Sequence, residues 1–209
     1  MTVTIQKIAP ADIEKESFKI IESEMGEHRF DRATFQVIRR VIHTTADFTF
    51  AENIRISPGA IEAGIAAIRA GKRILTDVTM VASGISKGLL ADFGGEVICR
   101  VADPEVALMA KKENRTRAAM AISMFLDAEI GIVAMGNAPT ALIRAIEITK
   151  EMPGPKPLLI GVPVGFVNAA ESKDLLVEEN DCYITSLGRK GGSPVAAAIV
   201  NALIRMAAE

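Results

Sequence analysis

Apolar residues recur at helical spacing through the first third of the chain, then give way to short apolar runs separated by further helical segments. From about Ala11 to Met25, the residues Ile13, Phe18, Ile20, Ile21 and Met25 keep a helical step, and Phe35, Ile38 and Ile42 do the same after Asp31. Asp31 is suited to cap that second helix. A third helix carries the fullest set of signals: Ser57 as cap, Pro58 in the first turn, Ile61, Ile65 and Ile68 as the stripe, and Gly71 as the stop. From Lys72 onward the runs predict strands over Arg73–Asp77, Glu96–Val101, Ile130–Met135, Leu158–Val162 and Cys182–Ser186. Helical patterns intervene over Met80–Ala91, Asp103–Ala110, Thr116–Leu126, Pro139–Lys150 and Asn168–Val177, and a last helix follows Pro194.

Alternating strands and helices call for right-handed crossovers, so the expected class is three-layer α/β/α, with a five-stranded parallel sheet covered on both faces. At 209 residues and 22.3 kDa the chain has room for one substantial core. We therefore expect a single domain over 1–209, with a helical N-terminal arm over about 1–71 and a sheet core over about 72–209. The segment MPGPKP at Met152–Pro157 reads as a rigid helix-to-strand connection rather than a linker.

In open parallel sheets ligands bind beyond the carboxyl ends of the strands. Those ends are chemically loaded: Asp77 and Thr79, then Asp103–Pro104, then Gly136–Asn137–Ala138–Pro139, then Pro163–Val164–Gly165, and last Gly188–Arg189–Lys190–Gly191–Gly192–Ser193. The segment GRKGGSP has two readings, an anion-holding loop at a helix start or a tight turn that caps the last helix. It is not a P-loop, and no G-x-G-x-x-G follows a strand, which argues against nucleotide binding. Asn168–Glu171 fits a capping box, and Asn137 ahead of Pro139 fits a helix start.

A net charge of -2, with 24% charged and 49% hydrophobic residues, speaks against a disordered chain and against a reader of phosphate backbones. No apolar run reaches the roughly 20 residues that span a bilayer, and the N-terminus lacks the pattern of a secretory signal. The expected location is the cytoplasm, without membrane or nucleic-acid partners. Cys99 and Cys182 sit in separate strand-like runs and read as buried thiols, neither a disulfide pair nor a zinc site.

Acid–base candidates are few, because the chain has two histidines. His28 lies in the polar stretch GEHRFDR and reads as a solvated loop residue. His43 closes the second helix one turn after Arg40 and beside Thr44 and Thr45; the helix C-terminus favours its imidazolium and a nearby guanidinium opposes it. Ser17 interrupts an apolar face and either meets a partner or bonds its own backbone. Arg115 and Arg117 precede an apolar helix and point either to the rim or to solvent. No nucleophile elbow or catalytic triad pattern is present, and no His-rich metal site.

Several segments together resemble one family over nearly the whole chain: Ser17 in EKESFKII, His43 in RRVIHTTADF, TDVTMVASGISK from Thr76, FGGEVICRVADP from Phe93, GNAPTAL from Gly136, GVPVGFVNAAESK from Gly161 and GRKGGSPVAAAIVNAL from Gly188. They resemble the precorrin-8X methylmutases and their cobalt-precorrin-8 counterparts of cobalamin biosynthesis, the RRVIHTTADF run and the GRKGGS ending being most similar to the cobalt branch. The resemblance implies a flavodoxin-like parallel sheet, a homodimer, and an isomerase that moves a methyl group within a corrin precursor from C-11 to C-12, giving hydrogenobyrinate or cobyrinate. It implies no external methyl donor and no cofactor held by the protein, cobalt being carried by the substrate. His43 matches the family's proposed proton donor or acceptor, and Ser17 and Arg40 match substrate contacts. Arg117 keeps its place in the family's T-R-S-x-A-A segment, whereas Ala118 replaces the serine and Met120 an alanine. The remaining expected substrate-binding positions are Thr44, Asp77, Met80, Gly84, Asn137, Gly165, Arg189 and Lys190, with Val164 and Phe166 joining Met80 as an apolar floor. Two other readings stand beside this one: a non-catalytic corrinoid carrier, and an enzyme that holds a phosphorylated metabolite in the GRKGGS loop.

Overall fold

Residues 7–209 are described by a computed structural model. After a 3-10 turn at Pro10–Asp12, the elements in chain order are α1 (Ile13–Met25), α2 (Arg32–Thr45), α3 (Phe50–Asn53), β1 (Ile54–Ile56), α4 (Ala60–Arg69), β2 (Arg73–Thr76), α5 (Thr79–Gly84) and α6 (Lys87–Ala91). There follow β3 (Val97–Cys99), α7 (Pro104–Lys112), α8 (Arg117–Phe125), β4 (Ile130–Met135), α9 (Pro139–Glu151), β5 (Leu158–Gly161), α10 (Ala169–Glu179), β6 (Tyr183–Ser186) and α11 (Ser193–Ala207). Asp31 caps α2 as expected, its carboxylate accepting from Thr34 N at 2.9 Å and Thr34 Oγ1 at 2.8 Å.

The sheet order is β1-β6-β5-β4-β2-β3. The strands β2 to β6 run parallel, but β1 pairs antiparallel with β6, Ile54 opposite Ser186 and Ile56 opposite Ile184. The expected five-stranded, wholly parallel sheet is thus corrected to a mixed sheet of six strands. The extra strand is the tripeptide Ile54-Arg55-Ile56, too short a run to stand out between two helices. Ser57 does not cap α4, whose N-cap is Gly59. Ser57 instead extends the ladder, donating N–H to Tyr183 O at 3.0 Å and accepting from Tyr183 N at its Oγ at 2.8 Å.

Side chains alternate across β4 and feed two cores. Ile132 and Ala134 pack with Val37, Ile38, Val41 and Ile42 of α2, Ile61 and Ile68 of α4, and Ile199 and Leu203 of α11. Val133 and Met135 pack on the other face with Ile122 of α8, Leu142 and Ile146 of α9, and Leu176 of α10. Helices α2 and α4 therefore share one covering layer with α11. Within that layer α2 runs antiparallel to α11: Arg32 meets Glu209 at one end, and Asp47, just past α2, meets Lys190, just before α11, at the other.

Two helical expectations change. The stripe expected on α1 divides: Ile21 is buried and Phe18 and Met25 pack against the core, whereas Ile13 and Ile20 are exposed; α1 packs mainly on α2. The single helix expected over Met80–Ala91 breaks into α5 and α6. Asn201 of α11 causes the break, donating from Nδ2 to Gly84 O at 2.9 Å and accepting from Ser86 N at 2.8 Å, so its amide takes bonds that a continuing helix would make itself. Cys99 and Cys182 are half-buried free thiols rather than fully buried ones. Among the described residues no helix is long and apolar enough to cross a membrane.

α4 reaches β4 closely because Gly131 has no side chain: a Cβ there would lie 2.6 Å from Lys72 Cβ and 2.7 Å from Ala67 Cβ. Neither neighbour is a flexible tip that can swing away. Gly131→Ala is expected to destabilise the protein by about 1–3 kcal/mol, as overpacking does, which urea unfolding measures.

Candidate functional site

The order of the parallel strands reverses between β2 and β4, so the helices that follow them leave to opposite faces: Val81 of α5 joins the core under α11, whereas Ala141 and Leu142 of α9 join the other core. Such a reversal opens a crevice at the carboxyl ends. Here a carboxylate fills it. Asp77, fully buried at the end of β2, accepts from Gly136 N at 3.2 Å and from Asn137 N and Ala138 N at 2.8 Å each. Burial raises the Asp77 carboxyl above the ordinary carboxylate range, against the opposing pull of the three N–H donors. Asp77 therefore lies beneath the rim as an anchor for the β4–α9 turn, and the N–H groups on offer at that turn are already occupied. Asn137 is exposed and held through its backbone; the N-cap of α9 is Ala138, not Asn137.

The same turn sets the start of α11. A Cβ on Gly136 would stand 2.7 Å from Ser193 Cα and 2.8 Å from Gly192 O, so only glycine lets α11 begin against the end of β4. The loop before α11 is braced on the loop after β5: Gly192 N–H donates to Val162 O at 2.8 Å and Gly165 N–H to Arg189 O at 3.3 Å. Gly191, at φ 157°, would place a Cβ 2.2 Å from Val162 O. Above this brace the expected apolar floor is exposed, with Met80 at 68%, Val164 at 48% and Phe166 at 83%. The Arg189 guanidinium lies 5.4 Å from the centre of the Phe166 ring. Lys190 Nζ donates to Asp47 Oδ2 at 2.5 Å and Thr49 Oγ1 at 2.9 Å.

That last contact brings the C-terminal end of α2 to the rim, and His43 and Thr44 with it, both exposed. The His43 ring stands edge-on to Phe18 at 5.3 Å. Phe18 is a hub, for the Arg39 and Arg40 guanidiniums also lie over its ring, at 4.2 and 5.3 Å. Arg40 Nη1 donates to Glu14 Oε1 at 3.0 Å and holds that carboxyl below the usual carboxylate range. Ser17 bonds its own backbone, Oγ to Ile13 O at 2.9 Å. His28 is exposed and stacked on Phe35 at 4.2 Å, as a loop histidine.

Not every expected residue gathers here. Arg117 is exposed at the start of α8, whose cap Thr116 meets Thr140 of α9 at 2.7 Å, so it approaches the rim from the opposite sheet face. Ala118 is buried. Gly84 makes room for α11, a Cβ there lying 2.7 Å from Ala197 Cβ. The capping box at Asn168–Glu171 does not form: Asn168 is left-handed, at φ 59°, with no side-chain cap. Sequence reasoning missed Glu14, Asp47 and Thr49, which hold Arg40 and Lys190; a polar residue one turn from a functional one was the available signal. Among the described residues no cluster of three or more His, Cys, Asp or Glu is placed to hold a metal ion.

The hydrogen bond from Lys190, with those from Thr49, lowers the Asp47 carboxyl from the ordinary 3.8 to about 2. The pair is therefore in place above the ordinary aspartate value and is lost as pH falls through about 2. Carboxyl-carbon NMR is expected to show Asp47 still ionised at pH 3, where unperturbed aspartates are mostly protonated.

A family model described as "Precorrin-8X methylmutase" matches residues 12–206. The chain is 43% identical to the cobalt-precorrin-8 methylmutase of Priestia megaterium, over 94% of this chain and 88% of that protein. It is 45% identical to the cobalt-precorrin-8 methylmutase of Salmonella typhimurium, over 93% of this chain and 94% of the other. The solved structure of a precorrin-8X methylmutase from Thermus thermophilus superposes with a TM-score of 0.86 at 43% identity, covering 95% of this chain and 96% of that one. With a matching family model along most of its length and relatives this similar, the chain belongs to the precorrin-8X methylmutase family.

Proposed function

We infer that the protein is an isomerase of cobalamin biosynthesis that shifts a methyl group from C-11 to C-12 of precorrin-8 or its cobalt form. The observation that carries the assignment to these residues is the antiparallel run of α2 along α11, which brings the C-terminal end of α2, with exposed His43 one turn before Asp47, to Lys190 of the loop after β6. The names of the Priestia and Salmonella relatives support the cobalt-bearing substrate, with cobalt as cargo of the macrocycle and not a resident metal. The parallel strands, in the order β3-β2-β4-β5-β6, support a flavodoxin-like description of that part of the sheet.

In a 1,5-sigmatropic shift the bond from methyl to C-11 breaks as the bond to C-12 forms and the ring double bonds move. Substrate and product contain the same atoms, so a proton that His43 lends to the macrocycle returns to it before product leaves. In this mechanism the imidazolium stabilises the migrating π system as a general acid, Phe18 holds the ring on edge, and Arg40 and Arg189 attract the peripheral carboxylates. The apolar rim receives the face of the macrocycle. Steering is local, because the net charge of the chain is -2.

The same reading includes a cytoplasmic homodimer. Support for self-association comes from Ile13 and Ile20, exposed at 51% and 48%, which lie about two turns apart on one side of α1. Sedimentation at rising concentration is expected to show the doubled mass, and a monomer throughout overturns the dimer.

Replacing His43 with Ala or Asn is expected to lower turnover by about 10²–10⁴-fold, the usual worth of a positioned acid, while corrin affinity is retained. Following the chromophore of precorrin-8 and of cobalt-precorrin-8 with time tests this. A static spectrum with tight binding in both wild type and variant identifies a corrinoid carrier instead.

A further inference from the structure

Lys173 of α10 is fully buried, yet among the described residues its ammonium has one protein acceptor, Lys190 O at 2.7 Å. Ser186 Oγ donates to the same carbonyl at 3.1 Å, so that oxygen is satisfied without the lysine. Burying a cation opposes folding, and burial pushes this one down to about 8, against the pull of neighbouring Asp174. Within the fold, then, the ammonium adds little that Ser186 does not supply. What it does add is an orientation and a charge. The Lys190–Gly191 peptide is trans, so a carbonyl pulled inward to Lys173 turns the Gly191 N–H outward. That N–H meets no backbone acceptor among the described residues, and Gly191 has no side chain to shield it.

We propose that Lys173 is a positioning residue for the methyl-shift substrate, its buried ammonium locking the Lys190–Gly191 peptide so that the Gly191 N–H faces a substrate carboxylate, and adding a fixed positive charge beneath Arg189 and Lys190. The proposal rests on the reading of the rim as the corrin site. A peptide fixed in advance costs the ligand no reorganisation, and a cation out of water acts more strongly on the carboxylate than one in it.

The test compares wild type with Lys173→Met, which keeps length and apolar volume while removing the charge. The expected result is a KM for precorrin-8 raised about tenfold, the scale of one charge-assisted hydrogen bond, with kcat unchanged and the melting temperature held or raised. A variant that melts lower yet keeps the wild-type KM makes Lys173 purely structural and overturns the proposal. Should Lys173→Met not fold, the wild-type protein still decides: with ¹⁵N-labelled protein and the product hydrogenobyrinate, the Gly191 amide is expected to shift downfield and gain protection from exchange. An unmoved Gly191 amide in a saturated complex overturns the proposal. Wild type that binds the corrin without converting it fails the enzymatic reading alone, and the Gly191 amide still judges Lys173. Wild type that neither converts nor binds it overturns both.

Discussion

The arrangement of the rim depends on one carboxylate. Reversal of strand order between β2 and β4 leaves a crevice whose walls are backbone N–H groups, and Asp77 closes it from within through Gly136, Asn137 and Ala138. With that turn fixed, Gly136 admits the start of α11; the start of α11 fixes the glycine-rich loop; and the loop sends Lys190 to Asp47 at the end of α2. The position of His43 is thus the last link of a chain of contacts that begins at a buried anion on the other side of the layer. A parallel sheet of this kind ordinarily offers its switch point to a ligand, whereas here Asp77 occupies the backbone N–H groups at that point and the exposed rim residues lie above it.

Two separate parts of the molecule meet at that surface. The sheet and its loops contribute Arg189 on Phe166, the brace between the loops after β5 and β6, and Lys190. The helices outside the repeating strand–helix pattern contribute His43, with Phe18 of α1 meeting its ring and the Arg39 and Arg40 guanidiniums of α2. The histidine and the loop cations are therefore positioned by different packing interfaces.

Much of this was legible in the residues. Strand runs of branched apolar residues located the parallel strands to within a residue or two, and Asp31, Thr116 and Gly71 punctuated helices as their chemistry requires. What escaped depended on partners distant in sequence. Ile54-Arg55-Ile56 is a strand because β6 is there to receive it; Ser57 is recruited into that ladder and lost to helix capping; and α5 ends early because Asn201 competes for its bonds. Asp77 reads from the sequence as a strand-end carboxylate but not as the brace of the β4–α9 turn, because a carboxylate at a strand end looks the same in sequence whether it faces a ligand or a ring of backbone donors.

The short strands at the two margins of the sheet have a further consequence. β1 and β3 each span three residues, and β1 carries Arg55 between its two isoleucines. Edges this short, one of them charged, are poor templates for strand addition. An unprotected β6 would instead have presented an unpaired backbone edge to solvent. The tripeptide that was least visible in the sequence thus protects the molecule against edge-to-edge aggregation, and leaves any assembly of copies to be made through helices.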